Sequence, residues 1–272
     1  INCVVCHNIE KIHSDRDETY RGINRVTWTK SGLMSGPYDD AKSPYHSVEY
    51  RDFMGKNSNQ LCFVCHANMS SVQGVMFTNM EEEFKSDGKQ CVDCHMGPKR
   101  LGVASTLKID DGKAKKRMIR KHGFKGAHDE EMIKNSLKLS AWQKGKDVVI
   151  MLKNPQPHNI PSGYGSREIL IELDYTNGTE TIKNEAISLT TYYKDRRGKA
   201  TIAHLAKTMS KDMSIPARGK KVIKVKKADG ATSVRISVYY KLVNDEVHKL
   251  LKLKEKQWSK KMLITAKTLK LK

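Results

Sequence analysis

Hydrophobic and polar residues alternate along the chain from residue 146 onward, which is typical of β-strands with one buried face. The alternation falls mainly in five runs rich in β-branched and aromatic residues, namely 147–153, 168–176, 186–194, 220–226 and 232–242. The dipeptides Asn177-Gly178 and Asp229-Gly230 each lie between two of these runs and are typical of hairpin turns. Because no helical pattern separates the runs, we expect a small antiparallel β-sandwich over residues 144–242.

Residues 1–143 show no sustained alternation, and they predict loops and short helices. Near the end of this region Met132, Ile133, Leu137 and Trp142 recur at near-helical spacing, after acidic residues that suit the start of a helix dipole. The spacing predicts a packing helix within 128–142 that closes the first domain. We therefore expect an α+β protein in which a domain of short helices and loops, residues 1–143, precedes the sandwich.

The last segment, residues 243–272, is strongly basic. Val247, Leu250, Leu251 and Trp258 begin on one helical face, so we expect a basic amphipathic C-terminal tail. Two roles fit this pattern. The tail either packs on the body of the protein or docks to an anionic partner, a membrane surface or a neighbouring subunit.

Composition narrows the class of protein further. The chain has 272 residues, with 50 Lys and Arg against 30 Asp and Glu and a formal net charge of +20. No run of about 18 apolar residues occurs, so no membrane-spanning helix is expected. The hydrophobic share of 38% is low for a globular chain, which leaves room for a bound apolar cofactor. The charge favours acidic partners, whereas the lack of a recognition motif argues against nucleic acid.

All six cysteines fall in three copies of the pattern C-x-x-C-H. The copies are Cys3-Val4-Val5-Cys6-His7, Cys62-Phe63-Val64-Cys65-His66 and Cys91-Val92-Asp93-Cys94-His95. In this haem-attachment pattern two thiols form thioethers to the vinyl groups, and the next residue binds the iron. Three disulfides or paired zinc sites would use the cysteines but would not explain the histidine that follows each pair. We therefore predict three covalently bound haem c groups with His7, His66 and His95 as proximal ligands.

Seven other histidines compete for the distal positions on the three irons. His46 precedes the second motif, His122 lies in a glycine-punctuated turn, and His158 lies in a loop stiffened by three prolines. We expect these three to be the distal ligands. His13 is the best substitute, and His128 is an alternative to His122. The resulting bis-histidine, low-spin haems would have lower potentials than haems with a methionine ligand.

Two longer motifs surround the distal candidates: His122-Gly123-Phe124-Lys125-Gly126 and His158-Asn159-Ile160-Pro161-Ser162-Gly163. They resemble the H-x-F-x-G and G-H-x-x-P-[ST]-G segments of a family of multihaem, here trihaem, c-type cytochromes, and His46 matches a further element before an internal C-x-x-C-H. The resemblance covers most of residues 40–242 and implies that His46, His122 and His158 are distal ligands. Two departures stand out: Pro157 replaces the glycine before His158, and residues 243–272 have no counterpart.

The resemblance implies a protein that carries electrons through closely spaced haems in the periplasm or on the cell surface. Since a motif begins at residue 3 with no apolar segment before it, we expect the sequence to be a processed, exported form. The expected partners are redox proteins, acidic because this chain is basic. Two alternatives stay open, a subunit of an extracellular cytochrome filament that assembles through haem stacking and a subunit of a multihaem reductase. We expect no enzymatic activity, because no C-x-x-C-K variant marks an open haem.

Overall fold

A computed structural model describes residues 3–13, 22–106 and 114–272. The chain divides into two compact units. The cysteine unit consists of Ile1–Met69 and Ser86–Lys125, and it contains all three C-x-x-C-H motifs. The sheet unit consists of Ser70–Lys85 and Gly126–Lys272.

The described helices and strands are short in the first unit and longer in the second. The α-helices are α1 (Cys3–His7), α2 (Asn59–His66), α3 (Met80–Glu83), α4 (Cys91–His95), α5 (Glu130–Ile133) and α6 (Asp245–Leu250). The strands are β1 (Ile9–Ile12), β2 (Val26–Trp28), β3 (Leu33–Gly36), β4 (Ser47–Tyr50), β5 (Met69–Ser70), β6 (Met76–Thr78), β7 (Arg100–Val103), β8 (Lys116–Ile119), β9 (Lys138–Lys144), β10 (Asp147–Lys153), β11 (Glu168–Asn177), β12 (Glu180–Lys194), β13 (Thr208–Asp212), β14 (Lys220–Lys226), β15 (Ser233–Lys241) and β16 (Met262–Lys270). Short 3-10 helices occur at Gly22–Arg25, Asp52–Met54, Ala203–Leu205 and Lys256–Trp258.

The cysteine unit has little regular structure and a small apolar core. Strands β1 and β2 pair antiparallel, β3 and β4 pair parallel, and β7 and β8 pair antiparallel. Its buried apolar cluster consists of Ile9, Val26, Phe53 and Val64. The three helices that carry the haem-attachment motifs are therefore held mainly by loops and local hydrogen bonds.

The sheet unit contains two antiparallel sheets that share one hydrophobic core. The strand orders are β14-β10-β9 and β13-β12-β11-β15-β16. Alternate side chains of the central strands point into the core and are fully buried, among them Val148, Ile150, Leu152, Ile169, Ile171, Leu173, Val234, Ile236 and Val238. The predicted α+β class is confirmed. Strands β10 and β14 have the predicted bounds, and β11, β12 and β15 overlap the other three runs.

The predicted turns have different outcomes. Asn177-Gly178 connects β11 to β12, which are paired neighbours in one sheet, so the hairpin is confirmed. Asp229-Gly230 follows β14 of the three-stranded sheet and precedes β15 of the five-stranded sheet, so the predicted hairpin is wrong there. The turn instead carries the chain from one sheet to the other.

The helix predicted within 128–142 is wrong. The helix α5 ends at Ile133, and Asn135 adopts a left-handed conformation with φ of 60° before β9 begins. Strand β9 then pairs along its whole length with β10 through a tight turn at Gly145, which has φ of 60°. Sheet pairing prevails because it places Ala141 in the core beside Ile150.

The amphipathic tail predicted over 243–272 is only partly helical. Helix α6 is present, and its Asn244 cap accepts a hydrogen bond from the Val247 backbone N–H at 2.8 Å. The chain then forms β16 against β15, with Met262 and Ile264 buried. If residues 262–270 formed a surface helix, the backbone N–H and C=O groups on the edge of β15 would have no strand partner. Pairing with β16 satisfies them. The segment is therefore part of the fold of the sheet unit.

The unit boundaries also differ from the division predicted at residue 143. Residues 126–143 belong to the sheet unit because β9 is one of its strands, and so do residues 70–85. The predicted third region, 243–272, is part of the same unit because β16 completes the five-stranded sheet.

Candidate haem-binding site

Each C-x-x-C-H motif occupies a short helix whose last residue is the histidine. Residues three and four positions apart share one face of a helix, so the two cysteines and the histidine of each motif project from the same side. Helices α1 and α4 contain no buried residue, and Val64 is the buried residue of α2. Apolar side chains beside the first motif, Val4 and Val5, are exposed. This donor set and its apolar surroundings fit a covalently attached porphyrin.

The second and third motifs are fixed to each other through the starts of their helices. The Cys91 backbone N–H at the start of α4 donates to the Asn59 side-chain oxygen of α2 at 2.7 Å. In return, the Ser58 backbone N–H ahead of α2 donates to the Gln90 side-chain oxygen at 3.0 Å. Asp93 completes a capping box by accepting the Gln90 N–H at 2.7 Å. Reciprocal capping thus sets the distance between the two motifs without a large core.

The cysteine side chains show which motifs are neighbours. The thiol of Cys62 donates a hydrogen bond to Cys91, which lowers the pKa of Cys91 and raises that of Cys62. Burial, followed by the nearby Cys65 thiol, raises the pKa of Cys6. Motif two is therefore a neighbour of both motif one and motif three. The sequence alone did not predict this arrangement.

Two of the proximal histidines are oriented by backbone carbonyl groups. The Nδ1–H of His7 donates to the carbonyl of Ser35 at 2.7 Å, and that of His95 donates to the carbonyl of Lys125 at 2.5 Å. Ser35 is itself buried and donates through its hydroxyl to the Ile9 carbonyl at 2.5 Å. Because a carbonyl can only accept, these bonds fix Nδ1 as the protonated nitrogen of both rings, the arrangement common in metal-bound histidines.

His122 lies close to His7, the predicted proximal histidine of the first motif. The ring centroids of His7 and His122 are 6.3 Å apart, with 35° between the ring planes. Two imidazoles on opposite sides of one metal, with bonds of about 2 Å each, have centroids roughly 6 Å apart. Phe124, at φ of 44°, packs edge-on against His122 at 6.1 Å. This separation would let His7 and His122 together hold one iron if haem were bound at the first motif.

The segment around His122 also contacts the third motif. The Lys125 carbonyl accepts the imidazole N–H of His95, and the Lys125 N–H donates to the His95 carbonyl at 2.9 Å. One five-residue segment thus places His122 close to His7 and orients His95. Sequence reasoning missed this role of Lys125, because its backbone and not its side chain makes both contacts.

His158 is presented by a stiff loop of the sheet unit. Its Nδ1–H donates to the Asn159 carbonyl at 2.8 Å, and the Ser162 hydroxyl lies 3.3 Å from the same nitrogen. The loop is held by the fully buried side-chain amide of Asn154, which donates to the carbonyls of His158, Ile215 and Pro216 at 2.8, 3.1 and 3.0 Å. Asn154 is a second residue that the sequence did not single out, although an Asn-Pro pair after a strand is a common turn signal.

The remaining candidate histidines differ in their surroundings. His46 is exposed, and its Nδ1–H donates to the Ser47 carbonyl at 3.2 Å. The Nε2 of His13 is hydrogen-bonded to the Thr27 hydroxyl at 2.8 Å, so its usual metal-binding nitrogen has a protein partner. His46 and His122 belong to the cysteine unit, and His158 and His128 belong to the sheet unit. All three distal-ligand assignments, His46, His122 and His158, stay predictions.

The sheet unit has a cavity of about 370 Å³ beside the His158 loop. Its lining includes Phe77, Tyr164, Arg167, Tyr193 and Glu83. Burial raises the pKa of Glu83 to about 7, although the Asn159 backbone N–H donates to its carboxylate and opposes the shift. Glu83 is the most strongly perturbed carboxyl group of this cavity.

No helix among the described residues is long and apolar enough to cross a membrane.

Comparison with known proteins shows the fold. No protein-family model matches the chain, and no curated protein matches it. A penta-haem cytochrome c552 from Thermochromatium tepidum shares 18% sequence identity, with a TM-score of 0.76 over 99% of this chain and 76% of the other. A superoxide reductase in the oxidised state covers 51% of this chain and 89% of its own at 10% identity, with a TM-score of 0.25, too low to support an argument. The chain therefore has the fold of a multihaem c-type cytochrome.

Proposed function

We propose that the protein is an exported trihaem c-type cytochrome that passes electrons between redox proteins. The observation that carries this proposal is the pair formed by His7 and His122, with ring centroids 6.3 Å apart. His7 ends a C-x-x-C-H motif, its Nδ1–H is held by the Ser35 carbonyl, and its Nε2 is left to bind a metal. The structural similarity to a penta-haem cytochrome supports the same class of protein.

Each set of residues has one task in this proposal. Cys3, Cys6, Cys62, Cys65, Cys91 and Cys94 form the thioether bonds, and His7, His66 and His95 are the proximal ligands. Haem c, when bound, supplies a reversible one-electron couple at its iron. His122 binds opposite His7, and His46 and His158 serve the other two irons. The carbonyls of Ser35 and Lys125 orient the proximal imidazoles of His7 and His95.

The arrangement of the motifs supports a relay. The second motif neighbours both of the others, as the contacts of Cys62 with Cys91 and of Cys6 with Cys65 indicate. Haems attached at neighbouring motifs would lie close enough to pass electrons to one another without a chemical reaction of the side chains.

The test uses protein matured with a haem-attachment system. We expect its mass to show three added haems and its ferric electron paramagnetic resonance spectrum to show only low-spin iron. His122→Ala should convert one of the three haems to a high-spin form that binds one carbon monoxide per molecule after reduction. His248→Ala, which removes a histidine of α6, is the control and should leave the spectrum unchanged.

Three results would contradict the proposal. Fewer than three haems would exclude the trihaem assignment. Stoichiometric binding of carbon monoxide by the unaltered reduced protein would favour the reductase alternative, because it would show an open iron. An unchanged spectrum in the His122→Ala variant would exclude the pairing of His122 with His7.

A further inference from the structure

The outer face of the three-stranded sheet carries an unusual set of side chains. Since Val148, Ile150 and Leu152 of β10 point into the core, the alternate residues of all three strands point away from it. These outward residues define the lysine face: Lys138, Ser140, Trp142, Lys144, Asp147, Val149, Met151, Lys153, Lys220, Val222, Lys224 and Lys226. All six lysines of this face are exposed.

The strand register arranges these residues in rows. Lys138, Lys153 and Lys220 lie directly opposite one another in a row across the three strands. Like charges in directly opposed positions destabilise a sheet. The row of Lys138, Lys153 and Lys220 contains no acidic residue, so this arrangement of three lysines does not stabilise the sheet. A function that uses the charge accounts for it.

Charge distinguishes this face from the outer face of the five-stranded sheet. The lysine face has six lysines against Asp147, an excess of five positive charges, and Asp147 is already paired with Lys226 at 2.6 Å. On the five-stranded sheet, Glu168 is paired with the buried Lys241 at 3.1 Å, and Glu172 is paired with Lys261 at 2.8 Å. Two acidic residues of the five-stranded sheet are thus already paired with lysines, whereas the lysine face keeps an excess of positive charge that a partner can use.

The centre of the lysine face is apolar. The Trp142 side chain is 41% exposed and that of Val222 is 48% exposed, and the partly exposed Met151 lies beside Val222 in the strand register. Val149, on the same side of β10, is buried. An aromatic and aliphatic centre with a charged rim is the usual layout of a protein–protein interface. A free anion would need only the charges, so the apolar centre favours a protein partner.

One end of the lysine face adjoins the loop that presents His158. Lys153 is followed directly by Asn154, whose backbone N–H donates to the Gly219 carbonyl beside Lys220 at 2.9 Å. The side chain of Gln156 in the same loop donates to the Ser136 carbonyl at 3.3 Å, two residues before Lys138. A partner bound at this row would therefore lie beside a predicted iron ligand.

We propose that the lysine face is the docking surface for an acidic electron-transfer protein. This inference rests on the proposed function. One electron passes from the reduced partner to this protein, so the partner is oxidised and the cytochrome is reduced. Complementary charge speeds the encounter, and the apolar centre stabilises the docked complex.

The experiment measures reduction of the holoprotein by reduced plant-type [2Fe–2S] ferredoxin, an acidic one-electron donor, in a stopped-flow instrument at low ionic strength. The variant is Lys153→Glu/Lys220→Glu/Lys224→Glu. The control, Lys249→Glu/Lys254→Glu/Lys256→Glu, makes the same change in net charge at exposed lysines elsewhere in the sheet unit. We expect the second-order rate constant to fall about tenfold or more in the variant and less than about threefold in the control. We also expect a weaker salt dependence in the variant.

Dithionite separates failure of this inference from failure of the proposed function. Suppose that dithionite reduces the native protein, the lysine-face variant and the control variant at the same rate. If ferredoxin then reduces the lysine-face variant as fast as the control variant, the lysine face is not the docking surface. Loss of binding to phosphatidylserine vesicles without a change in the ferredoxin rate would show a membrane-binding surface and would likewise overturn the inference. If dithionite reduces none of the proteins, the proposed electron carrier itself is wrong.

Discussion

The two units of this protein are stabilised in different ways. The buried apolar cluster of the sheet unit has 25 residues in the described part of the chain, whereas that of the cysteine unit has four. The helices of the cysteine unit that carry its motifs have five, eight and five residues, too short to be stable alone. Side-chain hydrogen bonds and covalent cofactor attachment must replace the missing core there. The sheet unit needs neither.

The largest effect we expect follows from withholding haem from the full chain. Without the thioether bonds, amides of α2 and α4 should exchange with solvent about a hundredfold faster or more than in the holoprotein. Amides of β10, β11 and β15 should change less than about threefold, because the core of the sheet unit does not depend on haem. Hydrogen–deuterium exchange followed by mass spectrometry measures both units in one sample.

A full-length variant with all six cysteines changed to serine is a second haem-free sample for this comparison. It should give the same exchange pattern, which would show that the missing haem and not a mispaired cysteine is the cause. Equal loss of protection in the two units would contradict the separate origin of their stability.

A smaller effect tests the hydrogen bonds that replace a core in the cysteine unit. Asn59→Ala removes the acceptor of the Cys91 N–H, so it should lower the free energy of unfolding by about 1 kcal/mol. Guanidinium unfolding of the holoprotein, followed at the haem absorbance, measures the change. Gln60→Ala, at an exposed neighbouring position, is the control and should change stability by less than about 0.5 kcal/mol. If the two variants lose the same stability, the reciprocal capping of α2 and α4 is not a significant source of it.

The same contrast explains what the sequence could predict of the fold. Strands β10 and β14 were predictable because alternation is strict where one face is buried, as with Val148, Ile150 and Leu152. Strand β9 was missed because the near-helical spacing ran from Met132 and Ile133 of α5 to Trp142 of β9, and so joined two separate elements. Strand β16 was missed because it lies in a basic segment whose first apolar residues fit a helical face, and its burial depends on the free edge of β15. Local pattern is not enough where a distant strand decides the structure.

In the candidate haem-binding site, too, some residues could be predicted from the sequence and others could not. The C-x-x-C-H motifs were readable because the chemistry of attachment lies within five consecutive residues. The partners that orient them were not readable, since the contacts of His7 with Ser35, of His95 with Lys125 and of Cys91 with Asn59 span 28, 30 and 32 residues. These contacts use backbone atoms, which leave no pattern in the side chains. For the same reason the sequence named His122 as a ligand but did not pair it with His7.

The smallest expected effect concerns a buried acid in the sheet unit. Glu83 has a pKa near 7 in the folded protein, against an ordinary value of 4.5, because burial disfavours its ionised form and Asp212 adds repulsion. Below pH 4.5 the carboxyl is protonated in both folded and unfolded chains, so it costs nothing. Between pH 4.5 and 7 the unfolded chain ionises Glu83 while the folded protein keeps the half-buried carboxyl protonated, so stability falls as the pH rises. The loss is complete above pH 7, and it is about 1–2 kcal/mol once solvent screening of the partly exposed carboxylate is allowed for.

Glu83→Gln should remove this pH dependence. The amide oxygen still accepts the Asn159 N–H, so the variant should be more stable than the native chain at pH 8 by about 1–2 kcal/mol, with the difference vanishing near pH 4.5. Glu82→Gln removes the same charge from an exposed neighbouring side chain and is the control. Thermal unfolding followed by circular dichroism of the strands at several pH values gives the comparison. A constant difference between variant and native chain at every pH would mean that Glu83 affects packing and does not titrate in this range. That result would contradict the prediction.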